Sequence, residues 1–377
     1  MEKEILFSEQ RQKKAKRYNK TARWLSISEF ALGIFFLFLL LSGLSHRVRD
    51  FVTGLFSSPW TVILLYLLIV GMMYEIISFP LSLYGGFSLE HKFDLSKQKF
   101  KSWFSDHLKS LILSFVLSLA LVELLYFLIR NFPSSWWFMS ALVFILFSVV
   151  LAKIFPLLIL PLFYKFEPLE DEDLKNRLVG LAKETKSEII GVFKWGLSEK
   201  TKKANAAFTG WGKTRRIILS DTLLMNFEPD EIETIFAHEL GHWAKKHLWK
   251  GMGLQILLSF LGWWVAFRLL NSLSGYFKLY GVYDIAGLPL IILVFSVLSF
   301  LFLPWVNFYS RKKELEADLF ALNLTKKPKA FISAIEKLTE KNLSEYEPNK
   351  AIQFIFHSHL SPAQRIKLAQ NFERKSG

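Results

Sequence analysis

His238-Glu239-Leu240-Gly241-His242 lies inside a chain otherwise dominated by apolar stretches of helix length. On a helix, two histidines four residues apart project from one face and can hold one zinc ion, and the glutamate between them can act on a water beside that ion. Residues 229–249 are predicted to form the helix. Pro229 suits a first-turn position, and Asp230, Glu231 and Glu233 suit the positive amino-terminal end. Lys245, Lys246 and His247 suit the other end, and Ile235, His238 and His242 share one face. The competing reading of the pentapeptide alone is two histidines on a solvated helix face.

The second half of such a site is legible near residue 310. Ser310-Arg311-Lys312-Lys313-Glu314-Leu315-Glu316-Ala317-Asp318 follows the last apolar stretch and should be helical, with Glu314 and Asp318 on one face. A catalytic zinc needs three protein ligands and an open position. Glu314 is the candidate third ligand after His238 and His242, for one Zn2+ per chain, with Asp318 accepting the other ring N–H of a histidine. By itself this stretch would read as an ion-pair helix with Lys312 and Lys313, but the two motifs together favour the metal. Zinc would acidify a water and polarise a carbonyl, and Glu239 would carry the proton from the water to the leaving amine. A further donor should stabilise the oxyanion.

Six apolar stretches are long enough to cross a bilayer, at about 26–45, 60–84, 108–130, 136–163, 250–271 and 286–307. Pro156 and Pro161 predict a kink near the end of the fourth. If all six cross, residues 1–25, 85–107, 164–249 and 308–377 share one side and hold nearly all the lysine and arginine. The opposite side keeps little more than Arg47, Arg49 and Lys278. The net charge of +14 therefore reads as a cytosolic topology signal, with both termini and the catalytic side in the cytosol. No motif supports nucleic-acid binding. The chain has 52% hydrophobic residues and 37 phenylalanines, too apolar for disorder, and no cysteine, so disulfides and thiolate metal sites are excluded. The first 25 residues carry no apolar core or cleavage site of a signal peptide. Glu75, Glu123 and Lys153 fall within spans and should face a protein interior, a wet cavity or each other.

Between the fourth span and the metal helix, residues 166–186 look helical and Ile189–Phe193 suggests a strand. Asn205-Ala206-Ala207-Phe208-Thr209-Gly210 and Arg216-Ile217-Ile218-Leu219-Ser220 read as two strands joined by a turn through Gly210 and Gly212. Proteases commonly add their peptide to a sheet edge, and the first strand of this pair is the candidate edge. The alternative is a hairpin that only braces the metal helix.

These residues resemble the integral-membrane CAAX prenyl proteases, zinc metallopeptidases related to the bacterial membrane heat-shock proteases. The resemblance runs over nearly the whole length. Asn205-Ala206 with Gly210 resembles the family's substrate-strand motif, and Lys213 to Leu224 the stretch leading into its zinc helix. Ser310–Asp318 resembles its third-ligand motif, and Ser358-His359 with Arg365 its carboxy-terminal Ser-His…Arg motif. Phe79–Tyr84, Glu90–Phe93, Pro161–Phe163 and Pro168–Glu170 resemble its amino-terminal membrane domain. The resemblance implies His359 as the oxyanion donor, and Asn205, Ala206, Gly210 and Arg365 as substrate-side residues, Arg365 with a structural alternative. Two departures stand out. Gln10-Arg11-Gln12 lies almost at the start, where the family shows a helix before its Arg-Gln-rich segment. The family's His-Pro is here His359-Leu360, with the proline at 362.

The expected fold is mainly α, a multi-spanning transmembrane helical bundle or barrel of about six spans enclosing a chamber, with a zincin-like catalytic domain carrying a small β-sheet. The expected organisation is a basic cytosolic segment (1–25), a membrane domain with spans one to four (26–164) and the first part of the protease domain (165–249). Spans five and six (250–307) and a carboxy-terminal part with Glu314 and His359 (308–377) complete it. The expected activity is a membrane-embedded zinc metalloendopeptidase acting on peptide or protein carboxy termini, prenylated or not, at the bilayer. A heat-shock-type quality-control protease without prenyl dependence is the alternative, and an inactive scaffold or transporter is the reading from another class. The short form leans toward a bacterial inner membrane over the endoplasmic reticulum.

Overall fold

The structure, a computed structural model, describes residues 9–185, 189–210 and 215–376. The first four apolar stretches form helices α1 (Glu9–Leu55), α2 (Pro59–Lys92), α3 (Phe100–Asn131) and α4 (Trp136–Leu162), each long and apolar enough to cross a bilayer. Their outward faces carry large apolar side chains, such as Phe35 (65% exposed) and Ile76 (71% exposed). Such exposure is stable only against lipid. The kink expected near Pro156 and Pro161 is present as a π turn at Phe155–Ile159 and a 3-10 turn at Leu160–Leu162.

The polar insertion comes next as β1 (Phe166–Pro168), α5 (Glu172–Glu184), β2 (Gly191–Trp195), β3 (Ala206–Thr209), β4 (Arg216–Ser220) and α6 (Pro229–Ala244). The strand order is β1-β2-β4-β3, with β2 parallel to β4 and the outer pairs antiparallel. Ile217, Ile218 and Leu219 are all fully buried, as a central strand covered on both faces requires. β3 is an edge strand. Local boundaries differ from the expectation in two places. The stretch 166–186, expected helical throughout, begins as β1, and its helix starts only at Glu172 behind an Asp171 cap. The strand expected at 189–193 lies two residues later, because register with β4 pairs Gly191 with Arg216.

The remaining elements are α7 (His247–Leu273) and α8 (Leu288–Thr325), the fifth and sixth spans, then α9 (Pro328–Lys341), α10 (Lys350–Phe356) and α11 (Pro362–Ser376). The helix expected over 229–249 is therefore two. It stops after Ala244, and Lys246 turns the chain with φ +56° before α7 begins.

Two polar clusters bear on the charge expectations. Arg49, expected as a solvent-side charge, is buried and paired with Asp284, whose carboxylate also accepts the N–H groups of Tyr280 (3.0 Å) and Ala286 (3.0 Å). Buried charge needs a partner of this kind. Glu75 meets His107 Nε2 at 2.7 Å, whereas Lys153 stays exposed and one oxygen of Glu123 has no partner among the described residues.

The amino-terminal turns of α1, rather than being a free basic arm, pack Ala15, Tyr18, Ala22 and Leu25 against Leu89, Phe93, Leu95 and Leu343. Polar contacts reinforce that seam. Asn19 Nδ2 donates to the Leu343 carbonyl at 2.7 Å, Arg11 to the Glu340 carbonyl at 2.7 Å, and Arg23 pairs with Glu345 at 2.7 Å.

Candidate metal centre and active site

Helix α6 is started by reciprocal capping. The Glu228 N–H is accepted by Glu231 Oε2 at 2.8 Å, and Pro229 occupies the first turn. This sets the register that turns His238 and His242 toward α8. Gly241 sets the distance. A side-chain carbon there would come within 3.0 Å of Ala317 Cα and 3.1 Å of its carbonyl oxygen, so only glycine lets the two helix backbones touch. Glu314, Ala317 and Asp318 of α8 are buried in this contact.

The contact brings three ligand side chains together. His238 Nε2 and His242 Nε2 lie 3.1 Å apart, His238 Nε2 lies 3.4 Å from Glu314 Oε2, and His242 Nε2 lies 3.3 Å from Glu314 Oε1. Tetrahedral zinc with bonds of about 2.0–2.2 Å puts its ligand atoms about 3.3–3.6 Å from one another. The two imidazole–carboxylate separations, one to each oxygen, have that size, and the imidazole pair at 3.1 Å is slightly closer. Glu314 Oε2 is moreover a buried carboxylate oxygen without a hydrogen-bond donor among the described residues, a costly condition that a cation would relieve. The donor set, two imidazoles and a carboxylate, suits zinc.

Each histidine is oriented from behind, by different groups. The Nδ1–H of His238 is held by Asp318 Oδ1 at 2.7 Å, and Asp318 is fully buried under a bidentate Arg365, at 2.9 Å (Nε to Oδ2) and 2.6 Å (Nη2 to Oδ1). Burial alone would push the imidazole pKa down, but the charge and hydrogen bond of Asp318, with Glu314 beside it, carry it up to about 9. His242 Nδ1 meets His247 Nδ1 at 3.0 Å, and His247 Nε2 meets Glu316 Oε2 at 3.0 Å. One set of neutral tautomers satisfies this chain. His247 donates to Glu316 and accepts from His242, which leaves the His242 Nε2 lone pair toward the triangle.

His359 sits on the loop between α10 and α11, which α8 holds in place. Arg311 donates to the His357 carbonyl at 2.5 Å and the Gln353 carbonyl at 3.0 Å, and Asn307 to the Ile355 carbonyl at 2.6 Å. His359 Nδ1 lies 2.8 Å from Glu314 Oε2, off the line of a hydrogen bond, and the ring is largely exposed. The displaced proline has a clear place. Pro362 opens α11 behind a Ser361/Gln364 cap, with Ser361 N to Gln364 Oε1 at 3.0 Å and Gln364 N to Ser361 Oγ at 3.3 Å, and Arg365 lies one turn in.

A cavity of ≈ 270 Å³ unites the pieces. Ala204, Asn205 and Ala206 form one wall, while His238, Glu239 and Glu314 face them, and Arg365, His359 and residues of α9 complete it. The edge position foreseen for the strand at Asn205 is where β3 stands, antiparallel to β4. Gly210 comes after β3 with φ +100°, a conformation glycine adopts without strain. Gly212 and the first residues of the Lys213–Leu224 stretch lie outside the described residues. Arg365, grouped with the substrate side on resemblance, lines the cavity but gives its guanidinium to Asp318. His247, Glu316, Gly241 and Asn342 also shape the site and were not singled out by sequence. Only Gly241 left a signal, as the small residue one position before the second histidine.

Comparison with known proteins adds three findings. Residues 168–373 match the family model "Peptidase family M48", and residues 3–165 match "CAAX prenyl protease N-terminal, five membrane helices", a region in which the described residues hold four spans. The uncharacterized metalloprotease YhfN of Bacillus subtilis is 30% identical over 364 residues, covering 95% of this chain and 85% of that protein. A CAAX prenyl protease 1 homolog of Arabidopsis thaliana is 31% identical over 311 residues (80% of this chain, 72% of the relative), and CAAX prenyl protease 1 of Saccharomyces cerevisiae is 28% identical over 326 residues (80% and 71%). The crystal structure of S. mikatae Ste24p superposes with a TM-score of 0.87 at 24% identity, covering 98% of this chain and 91% of that one, which shows a shared fold.

Proposed function

We propose, from the premise that this chain belongs to peptidase family M48 and is a multi-pass membrane metallopeptidase of the CAAX prenyl protease family, that it is a zinc endopeptidase cutting peptide carboxy termini at the cytosolic face of a bacterial inner membrane. The observation that carries the proposal is the triangle of His238, His242 and Glu314 beside a cavity bounded by an edge strand.

His238 Nε2, His242 Nε2 and the Glu314 carboxylate would hold the zinc. When bound, zinc polarises the scissile carbonyl and makes a water acidic enough to attack near neutral pH. Glu239, one residue from His238 and in the same cavity, takes the proton of that water and delivers it to the departing amine nitrogen. His359 has its Nδ1 toward Glu314, so its Nε2 is the nitrogen available to the developing oxyanion. Asp318 with Arg365 fixes the tautomer of His238. The peptide would add to the open edge of β3 at Asn205–Phe208, and its main-chain hydrogen bonds would hold the scissile bond in the cavity shared with His238, Glu239 and Glu314.

The relatives in yeast and Arabidopsis are named as CAAX prenyl proteases, which directs the substrate class toward carboxy-terminal tetrapeptide motifs, prenylated or not. The test is to incubate the purified, zinc-loaded protein with farnesylated and unfarnesylated forms of one such peptide. Removal of the terminal three residues is the expected result, and the ratio of the two rates reads lipid dependence. Glu239→Gln should keep the metal and lose about 10²–10⁴ in kcat. Full cleavage by zinc-bound Glu239→Gln would overturn the assignment of the base.

A further inference from the structure

The free edge of β3 ends abruptly. Ser220 N donates to the Asn205 carbonyl at 2.9 Å, and Asn205 N donates to Ser220 Oγ at 2.9 Å, so the main-chain groups of Asn205 face β4. Along an extended strand, main-chain groups alternate sides from residue to residue. Ala204, Ala206 and Phe208 therefore turn theirs to the open side. At Ala204 both groups are already taken. Asn342 Oδ1 accepts its N–H at 3.1 Å, and Asn342 Nδ2 donates to its carbonyl at 3.3 Å. One side-chain amide thus stands where the next residue of a paired strand would be.

Asn342 is held there firmly. It comes directly after α9, and the chain turns at once through Leu343, a buried residue with φ +49°. The Leu343 carbonyl is fixed by Asn19 of α1, and Arg23 of the same helix pairs with Glu345. Asn342 also lines the cavity that contains His238, Glu239 and Glu314, together with Phe331, Ile335 and Leu338 of α9.

We propose that Asn342 is a register stop that fixes how far a peptide's carboxy-terminal end extends past the cut. The inference rests on the edge-strand reading above. A peptide paired antiparallel to β3 runs from Thr209 toward Ala204, so its carboxy-terminal end arrives at Asn342. Among the described residues of β3, Ala206 and Phe208 offer it main-chain hydrogen bonds, and the amide of Asn342 blocks continuation along the strand. Substrate selection is then by chain length beyond the scissile bond as well as by side chain.

The test uses the full-length zinc-loaded protein and one peptide sequence lengthened at its carboxy-terminal end one residue at a time, with cut sites mapped by mass spectrometry. The wild type should cut at one fixed distance from the carboxy terminus and lose about tenfold in kcat/KM once the peptide overruns the stop. Asn342→Ala should flatten that length profile and spread the cut sites. Asn342→Asp, which keeps the acceptor for Ala204 N–H, should fall between and guards against a misfolded alanine variant. A uniform loss at every length with an unmoved cut site, in both variants, would reduce Asn342 to a structural residue and overturn the proposal. A matched series N-methylated at the residues facing Ala206 and Phe208 separates the underlying reading. If N-methylation leaves cleavage intact, the edge-strand reading fails and the stop falls with it. If it abolishes cleavage while the length profile is the same in all variants, only the stop fails.

Discussion

His238 and His242 stand one helical turn apart and point at the same spot, yet the regions behind them are built differently. Behind His238 the support is interior, with a fully buried Asp318 against the ring and a mostly buried Arg365 closing bidentately over it. Behind His242 the support is a second imidazole, His247, and then Glu316, which is half exposed and also approaches Lys250 at 3.6 Å. A carboxylate in the interior is screened by nothing and must be matched by charge, whereas one at the surface is softened by water. The inner support should therefore govern both fold and metal, and the outer one mainly the aim of a single ring.

The largest effect should come from Glu314, which both sides share. Glu314→Ala removes the carboxylate that meets both Nε2 atoms, and metal analysis should fall from about one zinc per chain to almost none. Retained stoichiometric zinc would mean that the triangle is not the site.

Breaking the inner support comes next. Arg365→Leu leaves the buried Asp318 with His238 as its one remaining partner among the described residues, and should cost about 3 kcal/mol of stability, read as a drop in Tm. Asp318→Asn should weaken zinc by about 100-fold in chelator competition. If Glu316→Gln cost as much as either, the contrast between buried and half-exposed support would be void.

Breaking the outer support is a smaller change. His247→Ala should weaken zinc by about tenfold with little loss of Tm, and Glu316→Gln by less.

The comparison also sets a pH dependence. In the metal-free protein His238 holds its proton up to about pH 9, because of Asp318. Below that, metal must displace the proton, so affinity should fall about tenfold per pH unit as pH drops from 9 toward neutrality. The sign for stability is opposite. A histidine whose folded pKa is raised stabilises the metal-free fold fully below its unfolded value near 6.5, and that contribution disappears as pH rises through about 9. Asp318→Asn should flatten both curves, while His247→Ala should leave them in place.

The smallest effects on metal and fold come from the substrate side. Asn205→Ala should weaken peptide positioning with zinc still bound, seen in KM and kcat, and His359→Ala should lower kcat much more than it raises KM.

The legible parts of this molecule are those with a period. Apolar length gave the six spans, short strand-forming runs around a glycine turn gave the β3–β4 pair, and spacings of four gave His238 with His242 and Glu314 with Asp318. His247 was missed for a geometric reason. On an unbroken helix it would lie about 140° around from His242. The break at Lys245 and Lys246 swings it back, and Lys246 is not a residue from which a left-handed turn is anticipated. Arg49 was misplaced because a sequence shows a charge without its partner, and Asp284 is 235 residues away. Asn342 lay beyond reach for the same reason, as its amide serves a strand 138 residues earlier. The Ser361/Gln364 cap was in the sequence as Ser-Pro-Ala-Gln, and reading it would have restored Pro362 to its role.

The seam between the first helix and the turn at Leu343 has a consequence at a distance. Asn19 reaches the Leu343 carbonyl across 324 residues of sequence, next to the amide that caps Ala204, so one wall of the cavity is set by a helix remote from it in the chain, and a change on α1 can be felt at the substrate edge without touching the metal.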